Sequence, residues 1–282
     1  MNLDTKRVIF INLRNRSSNV KGYVDLNEYI GGLGLGLKLL QNQIDEDPVI
    51  LSIGPLSGMF PYATKTAVVL EDSGAIEDLY IGGTLASRIR FAGLDSIVIL
   101  GRATKEVIID ITNRDVAFRE ADKTDIRSLG LPGKRSILFR DKKEVKLDGY
   151  FFTPEDFLHE KFVRHNLSGI VVTGTEAFKP PNFEKYQDIY FQILERTHEL
   201  SVKKGLYPSC TVCPMGCEQS SSGEIGGNVL IHSLVTCGFA EKIYADPGII
   251  FSCLNVLGYH YTHEDIENLP NIIEKILKRP IY

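Results

Sequence analysis

The chain has 282 residues, 43% of them hydrophobic and 24% charged, with a formal net charge of −4. This is enough for one large domain or two ordinary ones around a substantial core. Acidic and basic residues are interleaved without a long basic run, which argues against a nucleic-acid partner or a polybasic membrane patch. The opening Met1-Asn2-Leu3-Asp4-Thr5-Lys6-Arg7 lacks the apolar centre of a signal peptide, and no apolar run approaches the ~18 residues of a membrane span. The expected location is cytoplasmic.

In chain order, short β-branched runs bounded by Gly, Pro or Asp predict strands. They are Val8–Leu13, Val49–Ile53, Thr66–Leu70, Ser96–Leu100 and Gly169–Thr173. Val107–Ile111 and Val116–Arg119 flank Asn113-Arg114-Asp115 and predict a hairpin. Helical spacing occurs at Leu26–Leu40, Thr84–Phe91 and Pro154–His165, the last with Thr153 as the expected cap. Phe178-Lys179-Pro180-Pro181-Asn182 breaks the pattern. Beyond it, helical spacing dominates over Tyr186–Lys203, Gly227–Phe239, Pro247–Leu257 and His263–Leu277. The expected architecture is α+β: a β-rich, glycine-rich domain over 1–178, then a small helical domain over 179–282.

All five cysteines lie beyond residue 209, at Cys210, Cys213, Cys217, Cys237 and Cys253. An odd, clustered set in a chain of this length is not a secreted disulfide scaffold. Cys210, Cys213 and Cys217 have the spacing C-x2-C-x3-C, and Pro214 and Gly216 keep the segment out of a helix, so thiols at mixed spacings can converge. Clustered soft thiolates select zinc or iron–sulfur. On the residues alone three readings stay open: buried structural thiols, a zinc site with a further donor such as His232, and a [4Fe–4S] cluster, which the density of thiols favours. A four-iron cluster needs a fourth ligand, for which Cys237 and Cys253 are the candidates; each also suits an inert core thiol.

Several segments in order now carry a family likeness. Gly31-Gly32-Leu33-Gly34-Leu35-Gly36, Gly54-Pro55-Leu56-Ser57-Gly58, Pro61–Lys65, Ile81-Gly82-Gly83-Thr84 and Arg90–Asp95, followed by the cysteine triplet, resemble the tungsten-containing aldehyde ferredoxin oxidoreductases. The resemblance implies a two-sheet N-terminal domain that serves as a platform for a tungsten- or molybdenum-pterin, beside a [4Fe–4S] cluster that passes electrons to ferredoxin. Gly31, Gly32, Gly82 and Gly83 would then be platform positions whose backbone approaches the cofactor, and Lys65 would pair with a pterin phosphate.

This chain also departs from the family pattern. Leu33 stands where the family usually has arginine, and Phe157–His165 replaces a glycine- and arginine-rich pterin segment. Asn255-Val256-Leu257-Gly258-Tyr259-His260 replaces a D-x-x-G-L-D motif, and His232 falls near an active-site glutamate. Full-size relatives run to about twice this length, the remainder supplying half the pocket and the fourth cluster cysteine. The expected function is therefore aldehyde oxidation to carboxylate with ferredoxin as acceptor, with this chain as one part of a split enzyme joined by a complementary C-terminal-half subunit; a homo-oligomer is also compatible. The alternatives are a non-catalytic paralogue acting as a binding or scaffold module, and a zinc-stabilised structural domain.

Overall fold

The structure, a computed structural model, describes residues 3–278 except 224 and 226; the last residues of the 179–282 segment, 279–282, lie outside the described residues. The strands are β1 (Lys6–Asn12), β2 (Ser17–Tyr23), β3 (Val49–Ser52), β4 (Thr66–Asp72), β5 (Ala75–Ile81), β6 (Ser96–Leu100), β7 (Val107–Thr112), β8 (Asp115–Glu120), β9 (Arg135–Arg140), β10 (Val145–Leu147), β11 (Phe151–Phe152), β12 (Leu167–Thr173) and β13 (Ser221–Ser222). The α-helices are α1 (Gly32–Gln43), α2 (Leu85–Phe91), α3 (Phe157–His165), α4 (Phe183–Glu195), α5 (Val229–Leu234), α6 (Glu241–Tyr244), α7 (Pro247–Leu257) and α8 (His263–Leu277). They build an α+β fold with two mixed sheets, ordered β13-β5-β4-β3-β6-β1-β2 and β11-β10-β9-β12-β7-β8. β1 with β6 and β7 with β12 are the parallel pairs.

The first sheet is the middle layer. Side chains alternate across a strand, so successive apolar residues feed opposite faces. Ile9, Ile11, Val49, Leu51, Val68, Leu70, Ile97 and Ile99 join one buried cluster with Val107, Ile109, Leu138 and Val172 of the second sheet and with α2 and α3. Val8, Ile50, Val69 and Val98 join the other cluster, with α1, α4, α5, α7 and α8. A sheet covered on both faces needs continuous apolar strands, which is why its central members read as unbroken β-branched runs. The helices beyond residue 178 thus share a core with the first sheet, and β13 returns from that region to pair with the edge strand β5, Ser221 opposite Tyr80.

Two local expectations change. Thr153 does not cap α3; it bonds the Val145 carbonyl through its N–H and hydroxyl, at 3.1 and 3.3 Å, and α3 starts at Phe157 after Asp156. The predicted helix over Gly227–Phe239 ends at Leu234, capped by Asn228, whose side chain accepts from the Ile231 N–H. The turn that follows brings Thr236 to φ +59°, a left-handed conformation unusual for a β-branched residue.

Candidate functional site

The cysteine segment crosses the molecule between the two cores as a loop without regular secondary structure, held by backbone pairs. Gly205 N–H donates to the Met215 carbonyl at 2.8 Å and Tyr207 N–H to the Gly216 carbonyl at 3.2 Å. Cys213 N–H closes a turn on the Cys210 carbonyl at 3.2 Å. The loop is fastened to the first sheet at two points: Thr211 N–H donates to the Gly83 carbonyl at 3.2 Å, and Thr64 Oγ1 donates to the Thr211 carbonyl at 2.6 Å.

These fastenings turn Cys210, Cys213 and Cys217 onto a small shared cavity of about 20 Å³. Cys237 lines the same cavity, with Tyr62, Thr64, Lys65, Met215 and Phe239. The fifth cysteine is elsewhere: Cys253 is fully buried inside α7, within the helical core. Among the described residues no three His, Cys, Asp or Glu side chains close on one point tightly enough to hold a single ion. The four thiols surround a space rather than a point.

Burial dominates the electrostatics. It pushes the Cys210 thiol up to about 12 and Cys213 to about 11, and also raises Cys237. Backbone N–H groups act in the opposite direction and favour thiolates: Gly83 on Cys210 Sγ at 3.2 Å, Met215 on Cys213, and Phe239 and Ala240 on Cys237. The Lys65 ammonium pulls Cys210, Cys213 and Cys237 the same way. Lys65 is 2% exposed, its Nζ has no hydrogen-bond partner among the described residues, and it lies 4.2 Å from the centre of the Phe239 ring.

Sequence reasoning did not anticipate a polar cluster beside this cavity. His232 stacks on Tyr80 at 4.0 Å, and Tyr80 Oη donates to Asp78 Oδ2 at 2.5 Å. Among the described residues, His232 Nδ1 and Asp78 Oδ1 are buried without partners. Burial first, and Lys65 second, lower His232 to about 4; burial raises Asp78. The available signal was the pair of polar residues Glu77-Asp78 inside an otherwise apolar strand.

The fit of an iron–sulfur cluster and of a pterin can be judged separately. A [4Fe–4S] cluster takes four thiolates, with N–H donors to its sulfurs tuning it. Four thiols on one cavity, an N–H on Cys210 Sγ and an orphaned buried ammonium suit that group. The glycines expected to form a pterin platform are packed against the chain itself. Gly31, Gly32, Gly82 and Gly83 are all buried, covered by the chain itself. A Cβ at Gly32 would stand 2.2 Å from the His232 carbonyl oxygen, one at Gly31 2.7 Å from that of Ile53, and those at Gly82 and Gly83 within 2.8 Å of Phe151 and Leu147. Gly83, at φ +112°, instead presents its N–H to Cys210. Lys65, expected on a pterin phosphate, faces the thiol cavity.

Arg90 explains part of the glycine-rich pattern in structural terms. It is 2% exposed, and its guanidinium donates to the carbonyls of Ser57, Gly54 and Pro55 at 2.8, 2.7 and 2.9 Å. That clamp shapes the loop on which α5 docks, where Leu56 N–H meets the Leu234 carbonyl at 3.2 Å.

Comparison with known proteins agrees with this fold. Residues 8–138 match the family model described as aldehyde ferredoxin oxidoreductase, N-terminal domain. The tungsten-containing aldehyde ferredoxin oxidoreductase of Pyrococcus furiosus is 25% identical, aligned over 64% of this chain and 35% of its own length. The WOR-like subunit of an aliphatic sulfonate oxidoreductase from the same organism is 31% identical over 35% of this chain and 18% of its own. Among solved structures, the active-site complex BamBC of benzoyl coenzyme A reductase, solved with 1,5-dienoyl-CoA, superposes with a TM-score of 0.63 over 75% of this chain and 46% of that one, at 16% identity, a likeness of fold. The chain thus spans about a third of the length of the first of these relatives. No described helix is long and apolar enough to cross a membrane. Over residues 8–138 the chain is therefore similar to the N-terminal domain of the aldehyde ferredoxin oxidoreductases.

Proposed function

We propose that this chain is the electron-transfer part of an oxidoreductase of this family, holding a [4Fe–4S] cluster on Cys210, Cys213 and Cys217. The observation that supports the reading most is the thiol-lined cavity with the unpaired Lys65 ammonium on its wall. Four part-buried thiols beside a buried cation leave the cation uncompensated; thiolates carrying a cluster supply the missing negative charge. Loading deprotonates the thiols, so it releases protons and proceeds more readily as pH rises.

The cluster would supply one-electron chemistry. The chain's own residues would bind it, keep water from it through Tyr62, Met215 and Phe239, and set its charge environment. Aldehyde oxidation to carboxylate needs a two-electron centre. That step belongs in this reading to a complementary subunit carrying the tungsten-pterin, with ferredoxin as the electron acceptor. The names of the relatives, one a tungsten-containing enzyme and one a subunit, support such an arrangement.

Anaerobic purification followed by analysis of iron, sulfide, zinc and tungsten tests the reading. Iron and acid-labile sulfide with charge-transfer absorption, lost in Cys213→Ser, are expected, with no tungsten on the isolated chain. One zinc and no iron would overturn it.

A further inference from the structure

We infer that Cys237 is the fourth thiolate ligand, so that this chain completes a four-cysteine set from its own residues and loads the cluster without a complementary half. The inference rests on the cluster reading above and extends it to the residue that the triplet lacks.

Placement is the first argument. Of the two cysteines outside the triplet, Cys237 lines the triplet's cavity and Cys253 does not. Cys253 points into the helical core from the middle of α7 and has no charged group acting on it, only burial. Cys237 shares that cavity wall with Cys210, Cys213 and Cys217.

Backbone conformation is the second. The residue before Cys213 is Val212 at φ +54°, the one before Cys217 is Gly216 at φ +53°, and the one before Cys237 is Thr236 at φ +59°. Glycine tolerates this region, but valine and threonine do not, and each such residue costs on the order of 1–3 kcal/mol unless its surroundings hold it. The same unfavourable turn therefore precedes three of the four cavity cysteines, two of them after a β-branched residue. Thr236 is held there from the sheet side: its hydroxyl donates to the carbonyl of Lys65, the same residue whose ammonium lines the cavity. Cys253 has no such turn; it follows Ser252 within a regular helix.

The test uses the full chain, reconstituted anaerobically with ferrous iron and sulfide, and reads iron and sulfide content, absorption and the electron paramagnetic resonance of the reduced protein. Wild type should hold four iron atoms per chain, and so should Cys253→Ser. Cys237→Ser should lose the four-iron signal, dropping to three iron atoms or to none, as Cys213→Ser does. To avoid dependence on folding of the variants, alkylation of wild type before and after loading is read by mass spectrometry: Cys237 should be protected together with Cys210, Cys213 and Cys217. If Cys213→Ser abolishes the cluster while Cys237→Ser keeps four irons, or Cys237 stays reactive in loaded protein, the assignment of Cys237 fails and the cluster reading stands. If wild type takes up no iron, both fail.

Discussion

Of the three lysines buried among the described residues, Lys161 and Lys65 are treated in opposite ways. Lys161, on α3, is fully buried and places its ammonium on Asp47. His165 joins the same carboxylate, Nε2 to Oδ2 at 3.3 Å, while its Nδ1 lies 2.5 Å from the Gly101 carbonyl. The hydrogen bond from His165, and then Lys161, hold Asp47 well below the usual carboxylate range against the opposing effect of burial. Lys65, by contrast, has an aromatic ring and four thiols around it and, among the described residues, no anionic partner. A third buried lysine, Lys6, donates to Tyr261 Oη at 2.8 Å. Charge that the chain completes for itself is a fastening of the fold; charge left incomplete beside metal-binding side chains marks a place prepared for something else.

The strongest way to break the comparison is to make Lys161 resemble Lys65. Asp47→Ala strands a fully buried ammonium and removes the bond that ties α3 to the start of β3. Breaking a buried pair from one side costs roughly 3–5 kcal/mol, and because Asp47 is partly exposed the lower end is expected. Urea unfolding should show it as a shift in midpoint at unchanged slope. A loss below about 1 kcal/mol would mean that Lys161 finds water, and that its burial is not equivalent to that of Lys65.

A pH titration of the metal-free chain examines the neighbour of Lys65. His232 is held neutral, at about 4 against an ordinary 6.5, because burial and then the Lys65 charge disfavour its protonation. A histidine lowered in the folded state stabilises fully above about 6.5 and loses that contribution as pH falls towards 4, since the unfolded chain takes the proton first. The loss through this window should approach about 3 kcal/mol. His232→Phe keeps the stack on Tyr80 and should flatten that limb of the profile. An unchanged profile would show that His232 is not the group responsible.

Much of this was legible in the sequence and some was not. The central strands β3, β4, β6, β7 and β12 announce themselves because both faces of the first sheet, and the inner face of the second, demand β-branched runs. β2 is almost wholly polar and exposed, an edge strand paired only to β1, and carries no such pattern. β5 is interrupted by Glu77-Asp78, whose second member is buried for reasons of the site. The triplet is visible by spacing alone. The convergence of Cys237 on it is not, because Leu234-Val235-Thr236-Cys237-Gly238-Phe239 reads as apolar helix and the decisive event is a single left-handed turn at Thr236. Likewise nothing local distinguishes Lys65 from an ordinary strand-end lysine; its isolation arises from Phe239 and the cysteine loop, well over a hundred residues later.

The smallest expected effect is also the one that separates the two lysines most directly. Lys65→Met removes a buried cation that has no anion and replaces it with an apolar chain of similar length. In the metal-free chain this should leave stability unchanged or raise it by about 1–2 kcal/mol, because an uncompensated buried charge is lost rather than a pair broken. It should also let His232 titrate nearer 6.5 and narrow the pH window just described, since the Lys65 charge is the second cause of its depression. In cluster-loaded protein the sign reverses: a positive charge beside a cluster favours the more negative, reduced state. Its removal should lower the midpoint potential by on the order of 60 mV, a tenfold change in a one-electron equilibrium. Lys65→Arg should restore most of the potential if charge is what matters. Destabilisation of the metal-free chain by Lys65→Met comparable to that of Asp47→Ala would mean that the ammonium has an anionic partner after all, and the two lysines would then be of one kind.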